Sequence, residues 1–194
     1  DMARDKATFM SSLNACTNLQ ALREGRFIHF EIYQDRLEAD IMIGTALIKM
    51  YGRCESLADA CCIFESMMPK TDVILWTTMI TAYIQQGHNK EAIQLYYRMK
   101  HTGVKPNKIT FVTVLNACTN LGVYMEGKTI HDCIPEKEII SDVILSNALI
   151  TMYQKCGSFV DAEKLFLKMP KKDVVSCTAM IAAYAEQGRG FEAL

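Results

Sequence analysis

The sequence has no run approaching the roughly 20 apolar residues that carry a helix across a bilayer, so no membrane span is predicted. Its eight cysteines include no C-x-x-C pair, which removes the common zinc and thiol-redox arrangements. It has no excess of charge. With 21 basic and 22 acidic residues the net charge is −1, so a generally basic nucleic-acid coat is excluded, and any nucleic-acid contact has to rest on a local face. It has no phosphate-binding glycine loop and no nucleophile constellation. The opening DMARDKATF has none of the features of a secretory signal. What remains is a chain of 194 residues, half of them hydrophobic, which is enough to bury a sizeable core.

Repetition is what the chain has in place of these features. TFMSSLNACTNL, starting at Thr8, returns as TFVTVLNACTNL at Thr110, 102 positions later. EGRFIH (Glu24–His29) returns as EGKTIH (Glu126–His131), and ALIKMYGRC (Ala46–Cys54) as ALITMYQKC (Ala148–Cys156). WTTMITAYIQQG at Trp76 returns as CTAMIAAYAEQG at Cys177. A fixed internal period governs the fold and takes precedence over local signals. Four cysteines (Cys16 with Cys118, Cys54 with Cys156) recur at equivalent apolar positions, where they read as small buried side chains in a reducing compartment.

The long period divides into shorter units. Trp76, Met79, Ile80 and Tyr83 fall at i, i+3, i+4 and i+7, the spacing of an amphipathic helix. Gly87 stops it, Asn89 is a candidate N-cap for a second helix, and Ala92, Leu95, Tyr96 and Met99 repeat the stripe before Gly103 and Pro106. The same second-helix stripe recurs as Ala60-Ile63-Phe64-Met67 and Ala162-Leu165-Phe166-Met169. In two further units glycine replaces alanine and histidine the aromatic, giving Gly25-Ile28-His29-Ile32 and Gly127-Ile130-His131-Ile134. Ser56 with Asp59, and Ser158 with Asp161, have capping-box spacing. Pro135 falls inside an expected helix and should shorten or bend it. The units are 6–40, 41–72, 73–107, 108–142, 143–173 and a truncated 174–194. A lone hairpin cannot bury its stripe, so the prediction is an all-α, right-handed superhelical α-solenoid of stacked helix-turn-helix repeats. Phe64 and Phe166 should each plug a junction between successive hairpins. The last hairpin stops at Leu194, so the chain reads as a fragment, and Met180, Ile181 and Tyr184 should be left uncovered, giving self-association or fraying there.

Once the core stripe is set aside, each first helix presents a row at positions 5, 9 and 13 of its unit, one face at i, i+4 and i+8. The row reads Thr45-Lys49-Arg53, Thr77-Thr81-Gln85 and Asn147-Thr151-Lys155, with Met10-Asn14-Asn18 and Val112-Asn116-Asn120 in the remaining full units. Position 2 is mostly apolar: Met42, Ile74, Ile109, Ile144 and Val175. Each full unit ends in Asp40, Asp72, Asn107, Asp142 or Asp173. Taken separately, the final residues have an ordinary reading as helix N-caps, and the Thr/Asn row as inter-helix packing. Taken together, a repeated polar pair beside an aliphatic side chain is what reading one base per repeat requires. Amide, hydroxyl and carboxylate groups address the pairing edge, and the aliphatic group packs on the base face.

With those residues in view, the chain resembles pentatricopeptide repeat (PPR) proteins of the plant organellar PLS class. TFVTVLNACTNLG…EGKTIH is similar to the family's L repeat, NALITMYQKCGSFVDAEKLFLKMPKKD to its S repeat, and WTTMITAYIQQGHNKEAIQLYYRMKHTGVKPN to its P repeat. The order is then L (6–40), S (41–72), P (73–107), L (108–142), S (143–173) and part of P (174–194). A tetratricopeptide array would carry a W-x₂-L-G-x₂-Y signature, which is absent. The resemblance implies sequence-specific binding of single-stranded RNA in mitochondria or chloroplasts, to specify C-to-U editing or processing sites. It also implies small editing-complex proteins as partners of the L repeats. Its base-reading positions carry over as Met10 with Asp40, Thr45 with Asp72, Thr77 with Asn107, Val112 with Asp142, Asn147 with Asp173, and Thr178 alone. Met10 and Val112 offer no hydrogen bond. Arg53 and Lys155, at position 13, are either phosphate contacts or solvated charges. Read from the N-terminus as the 5′ side, the target is 5′-N-G-A-N-U-R-3′.

An editing deaminase needs H-x-E together with P-C-x-x-C to hold zinc. His29–Glu31 reads HFE, but the equivalent triplet at His131 is HDC and no P-C-x-x-C exists, so both histidines read as packing residues. Cys61–Cys62 is a vicinal pair without a partner base. The sequence therefore predicts a binding module without catalytic residues, metal or cofactor; the rival of the same fold is a protein-binding scaffold.

Overall fold

The structure, a computed structural model, describes residues 5–68 and 72–189. Among these residues there are twelve α-helices and no strand. They fall into two compact units, Asp1–Lys105 and Pro106–Leu194.

In the first unit α1 (Lys6–Leu19), α3 (Ile41–Arg53) and α5 (Val73–Gln85) lie side by side as one layer. Each turns back into an antiparallel partner: α2 (Leu22–Gln34), α4 (Leu57–Ser66) and α6 (Asn89–His101). In the second unit α7 (Lys108–Leu121), α10 (Val143–Lys155) and α12 (Val174–Glu186) form the corresponding layer. Their partners are α8 (Tyr124–Asp132), the short α9 (Glu136–Ser141) and α11 (Phe159–Lys168).

The core follows the periodic stripes. In α3, Ile43, Ala46, Leu47, Met50 and Tyr51 are buried, and α5 buries Trp76, Met79 and Ile80. The glycine that replaces alanine in the second helix of the two long hairpins leaves room for a methionine side chain of the next first helix. A Cβ on Gly25 would lie 2.5 Å from Met50 Sδ, and one on Gly127 would lie 2.5 Å from Met152 Sδ. The ends of the Met50 and Met152 side chains thus occupy the space a Cβ would take and would have to shift to admit one. Pro135 acts as the sequence predicts: α8 stops at Asp132, and α9 starts again after Pro135.

Several local expectations are corrected. Ser56 and Ser158 sit at N-cap positions without capping the backbone; each hydroxyl instead donates to a carboxylate, Asp59 at 2.7 Å and Asp161 at 2.6 Å. The N-cap of α6 is His88, and Asn89 is its first residue, with its amide turned back to the Gly87 carbonyl. Of the recurrent cysteines Cys16 and Cys118 are buried, but Cys54 and Cys156 are half-exposed at helix ends. Phe64 is buried and meets Trp76 edge-on at 4.8 Å between ring centroids. Phe166 is only half-buried, and Cys177 stands at the position that Trp76 occupies in the earlier copy. Near the C-terminus Met180 is buried, and the Tyr184 hydroxyl donates to Glu163 at 2.7 Å; only Ile181 of the three expected residues is exposed. Residues 190–194 lie outside the described region.

Candidate nucleic-acid interface

Each first helix opens on an acidic or amide N-cap, and the geometry of that cap places the candidate residues. Asp40 accepts from the Met42 and Ile43 N–H groups at 2.9 and 3.1 Å. Asp72 accepts from Leu75 N–H at 2.9 Å, Asn107 from Thr110 at 3.0 Å, Asp142 from Leu145 at 3.0 Å and Asp173 from Ser176 at 2.9 Å. All five final residues therefore do have the ordinary capping role, which uses one side-chain oxygen and satisfies an otherwise unpaired N–H. Capping also fixes where the other oxygen of each carboxylate sits, beside the first turn of the helix.

Position 2 lies on that same turn. Met42, Ile74, Ile109, Ile144 and Val175 are all 55–62% exposed. A single exposed aliphatic side chain is unremarkable, but five at one register of five successive first helices form a pattern that core packing does not explain. Position 5 follows one turn later. Met10, Thr45, Val112 and Asn147 are half-buried, Thr77 is buried and Thr178 is exposed. The Thr45 hydroxyl donates to the Ile41 carbonyl and that of Thr178 to the Val174 carbonyl, at 2.7 and 2.6 Å. With its proton committed to its own helix, each of these oxygens faces outward as an acceptor.

Only one of the sequence-derived pairs is joined directly within a unit. Asn147 Nδ2 donates to both carboxylate oxygens of Asp173, at 3.1 and 2.9 Å. The Asn147 carbonyl oxygen is buried there without a hydrogen-bond partner. The Asp173 carboxyl is held below its usual range, first by the Ser176 N–H and also by the Asn147 amide. Thr45 and Asp72 belong to one unit but share no hydrogen bond. Met10 and Val112, being apolar, form none with Asp40 and Asp142. Thr77 lies in the first unit and Asn107 in the second.

Two residues that the sequence reading did not single out join this set. Lys6 Nζ bridges Asp40 Oδ2 at 2.7 Å, and Lys108 Nζ bridges Asp142 Oδ2 at 2.7 Å. Their signal was available: both long repeats open with lysine, where the other units open with Ile41, Val73, Val143 or Val174. The paired lysine is the first cause holding Asp40 and Asp142 below the usual carboxylate range.

In the second unit these positions share a cleft. Between α10 and α12 lies an open cavity of about 450 Å³, lined among others by Thr151, Lys155, Val175 and Thr178. Positions 9 and 13 of one repeat thus face positions 2 and 5 of the next. Arg53 and Lys155, in the last turns of α3 and α10, are exposed and have no ion-pair partner among the described residues.

His29 and His131 are engaged elsewhere. Each ring Nδ1 meets a tyrosine hydroxyl of the next first helix, Tyr51 and Tyr153 respectively, and burial lowers both histidine pKa values. Among the described residues no group of three or more His, Cys, Asp and Glu could hold a metal ion.

The profile of the PPR repeat family matches residues 71–120, and that of the PPR repeat matches 144–174 and 175–194. A putative mitochondrial pentatricopeptide repeat-containing protein of Arabidopsis thaliana is 38% identical over 182 residues, which is 94% of this chain and 29% of that protein. A chloroplastic pentatricopeptide repeat-containing protein of the same plant is 35% identical over 187 residues, 96% of this chain and 30% of that one. This chain therefore spans about three tenths of the length of these relatives. The crystal structure of PPR10 in complex with an 18-nt psaJ RNA element superposes with a TM-score of 0.78 at 18% identity, over 97% of this chain and 29% of that one. A crystal structure of PPR10 from maize superposes with a TM-score of 0.67 at 20% identity, over 98% of this chain and 29% of that one. The fold is thus that of a helical-repeat solenoid, and by its repeat profiles and its relatives the chain belongs to the pentatricopeptide repeat family.

Proposed function

We propose that this chain is a sequence-specific single-stranded RNA-binding module that reads one nucleotide per repeat. In this reading it works in a mitochondrion or chloroplast and specifies a C-to-U editing or processing site as a PLS-class array. The observation that carries the reading is the exposed aliphatic row Met42, Ile74, Ile109, Ile144 and Val175, which stands beside the capping residues and the position-5 row. An exposed aliphatic side chain offers a base face an apolar platform, while the polar pair beside it addresses the pairing edge. Organellar relatives in Arabidopsis thaliana and the RNA complex of PPR10 support the same reading.

The chemistry of the pairs differs. At Thr45 with Asp72 the hydroxyl proton is already donated to Ile41, so this pair presents acceptors, which suit the N1–H and N2–H donors of guanine. Asn147 with Asp173 carries an amide donor, and the family's pairing rule assigns it uracil. Arg53 and Lys155 would contact phosphates, positioning the strand without reading it.

The test exchanges one pair for the other. Asn147→Thr converts the second short repeat into a copy of the first and should move preference at one nucleotide from U to G, by roughly 1–3 kcal/mol on the scale of bidentate base contacts. Binding of RNAs differing at that nucleotide alone, titrated by fluorescence anisotropy, would measure it. A uniform change in affinity for all RNAs would reduce Asp173 to a helix cap. Affinity that barely depends on salt would favour a protein-binding scaffold, in which L repeats hold small editing-complex proteins, since RNA binding releases counterions.

A further inference from the structure

We infer that Lys6 and Lys108 lock the terminal carboxylates of the two long repeats out of base reading, leaving nucleotide selection to the repeats that open with an aliphatic residue. This inference rests on the base-per-repeat reading above and adds to it which repeats discriminate.

The argument starts from how each carboxylate spends its oxygens. In Asp142, Oδ1 accepts from Leu145 N–H at 3.0 Å and Oδ2 from Lys108 Nζ at 2.7 Å. In Asp40, Oδ1 accepts from Met42 and Ile43 N–H and Oδ2 from Lys6 Nζ at 2.7 Å. Both oxygens of both residues are therefore engaged, one by the first turn of the next first helix and the other by the lysine that opens their own repeat. Asp173 differs. Its second oxygen is held by Asn147, the residue that would itself face the base, so base and carboxylate share one polar network.

A lysine at this place also changes what a base would meet. Bases are recognised by a carboxylate through N–H donors, and the ammonium brings three donors to the same edge. A guanine N–H would have to displace an opposite charge, and beyond that exchange it would find only Met10 or Val112, neither of which forms a hydrogen bond. An exposed ion pair is weak in stability terms. Here it needs only to outcompete one base edge that has no second polar partner. The opening residues of the other units, Ile41, Val73, Val143 and Val174, carry no charge and cannot form such a bridge. The lock and the apolar fifth residue thus occur together, in both long repeats and in neither short one.

The experiment uses the full 194-residue chain and four RNAs that differ only at the nucleotide 5′ to the uridine assigned to Asn147 and Asp173. The unchanged chain should bind all four within about twofold. Asp142→Asn, which preserves the cap, should leave them equal. Lys108→Met frees Oδ2 and should create a preference for guanosine of roughly fivefold or more, the lower end of a base-edge contact. Asp142→Asn added to Lys108→Met should abolish that gain, and Lys108→Arg, which keeps the bridge, should not produce it. Circular dichroism checks that each variant is folded; Lys108 is half-exposed, so its replacement leaves the core untouched. A base preference altered by Asp142→Asn alone would overturn the lock, as would Lys108→Met weakening all four RNAs equally, the behaviour of a phosphate contact. A second set varied at the uridine itself separates the two failures. If those RNAs also bind equally, base reading has failed and the lock falls with it; if they do not, only the lock has failed.

Discussion

The chain contains two copies of one long-short arrangement, 6–72 and 108–173, and their differences divide what the fold requires from what a single hairpin can vary. Both copies keep the aspartate caps, the lysine bridge, the histidine-tyrosine contact and the close glycine approach. They diverge at helix ends and at junctions. The earlier copy runs α2 unbroken to Gln34, whereas Pro135 splits the later one. Around that break opens a cavity of about 170 Å³, whose lining includes His131, Ile139, Tyr153, Leu165 and Met169. The earlier copy turns its helix ends on Gln20 and Glu55 at φ 53° and 58°, the later on Gly122 and Gly157 at 67° and 76°. Phe64 meets Trp76 edge-on, while Phe166 shelters under Lys172, whose Nζ lies 5.1 Å from the ring centroid. The shared features are the caps of the first helices and the contacts by which each long hairpin's second helix meets the next first helix; what differs lies at helix ends, turns and the junction after each short hairpin.

The largest expected effect would widen this comparison at the junctions. Phe64→Ala empties a fully buried site and should cost about 3–5 kcal/mol. Phe166→Ala, at a half-exposed site, should cost about 1 kcal/mol, since only part of the ring leaves water on folding. Urea titrations followed by circular dichroism measure both. Equal losses would mean that the two junctions are packed alike. Cys177→Trp places at the equivalent position the ring that Phe64 meets, and should raise the cost of Phe166→Ala; an unchanged cost would mean that residue 177 does not set the packing of Phe166.

The next effect would remove a difference between the copies. A non-glycine residue in the left-handed region is strained by roughly 1–2 kcal/mol, and glycine relieves this at the expense of a more flexible unfolded chain. Glu55→Gly and Gln20→Gly should therefore stabilise the chain by up to about 1 kcal/mol each. Gly157→Glu and Gly122→Gln should destabilise it by a similar amount. Shifts in urea midpoint at constant slope would report both, and a loss on Glu55→Gly would mean that the side chain makes a contact worth more than the strain.

Much of this was legible in the sequence because helical periodicity and N-capping are local. Asp40, Asp72, Asn107, Asp142 and Asp173 each precede a helix by one residue, and the apolar stripes name the buried faces. Failures came where two local options compete or where the deciding partner is distant. The hydroxyls of Ser56 and Ser158 could accept from a first-turn N–H or donate to the carboxylate three residues on, and the donation wins over the capping geometry. Phe166 matches Phe64 in pattern, yet it is only half-buried, because burial depends on side chains of other hairpins that the local pattern does not specify. At the candidate interface the exposed aliphatic row followed from the repeat register. The Lys6–Asp40 and Lys108–Asp142 bridges did not, because their partners stand 34 positions apart and meet only when the hairpin closes. The Asn147–Asp173 contact depends on a side-chain rotamer that composition does not encode.

The smallest expected effect sharpens what the copies share. His29 and His131 occupy the second-helix position that Phe64, Tyr96 and Phe166 fill in the sister hairpins. Burial lowers both pKa values below the ordinary 6.5, opposed at His29 by Asp59, and at His131 by Asp132 and Asp161 against Lys128 and Lys168. The unfolded chain therefore binds a proton more readily than the folded one. The stabilising contribution is fully present above pH 6.5 and is lost as pH falls from there through the lower folded values. His29→Phe and His131→Phe should each flatten the acid-side slope of stability just below pH 6.5, and the double variant should flatten it most. Unfolding free energies from urea titrations at several pH values would measure the slopes. If the two single variants differ widely, the neighbouring charges dominate over burial, and the histidine-tyrosine contact is no longer an equivalent feature of the two copies.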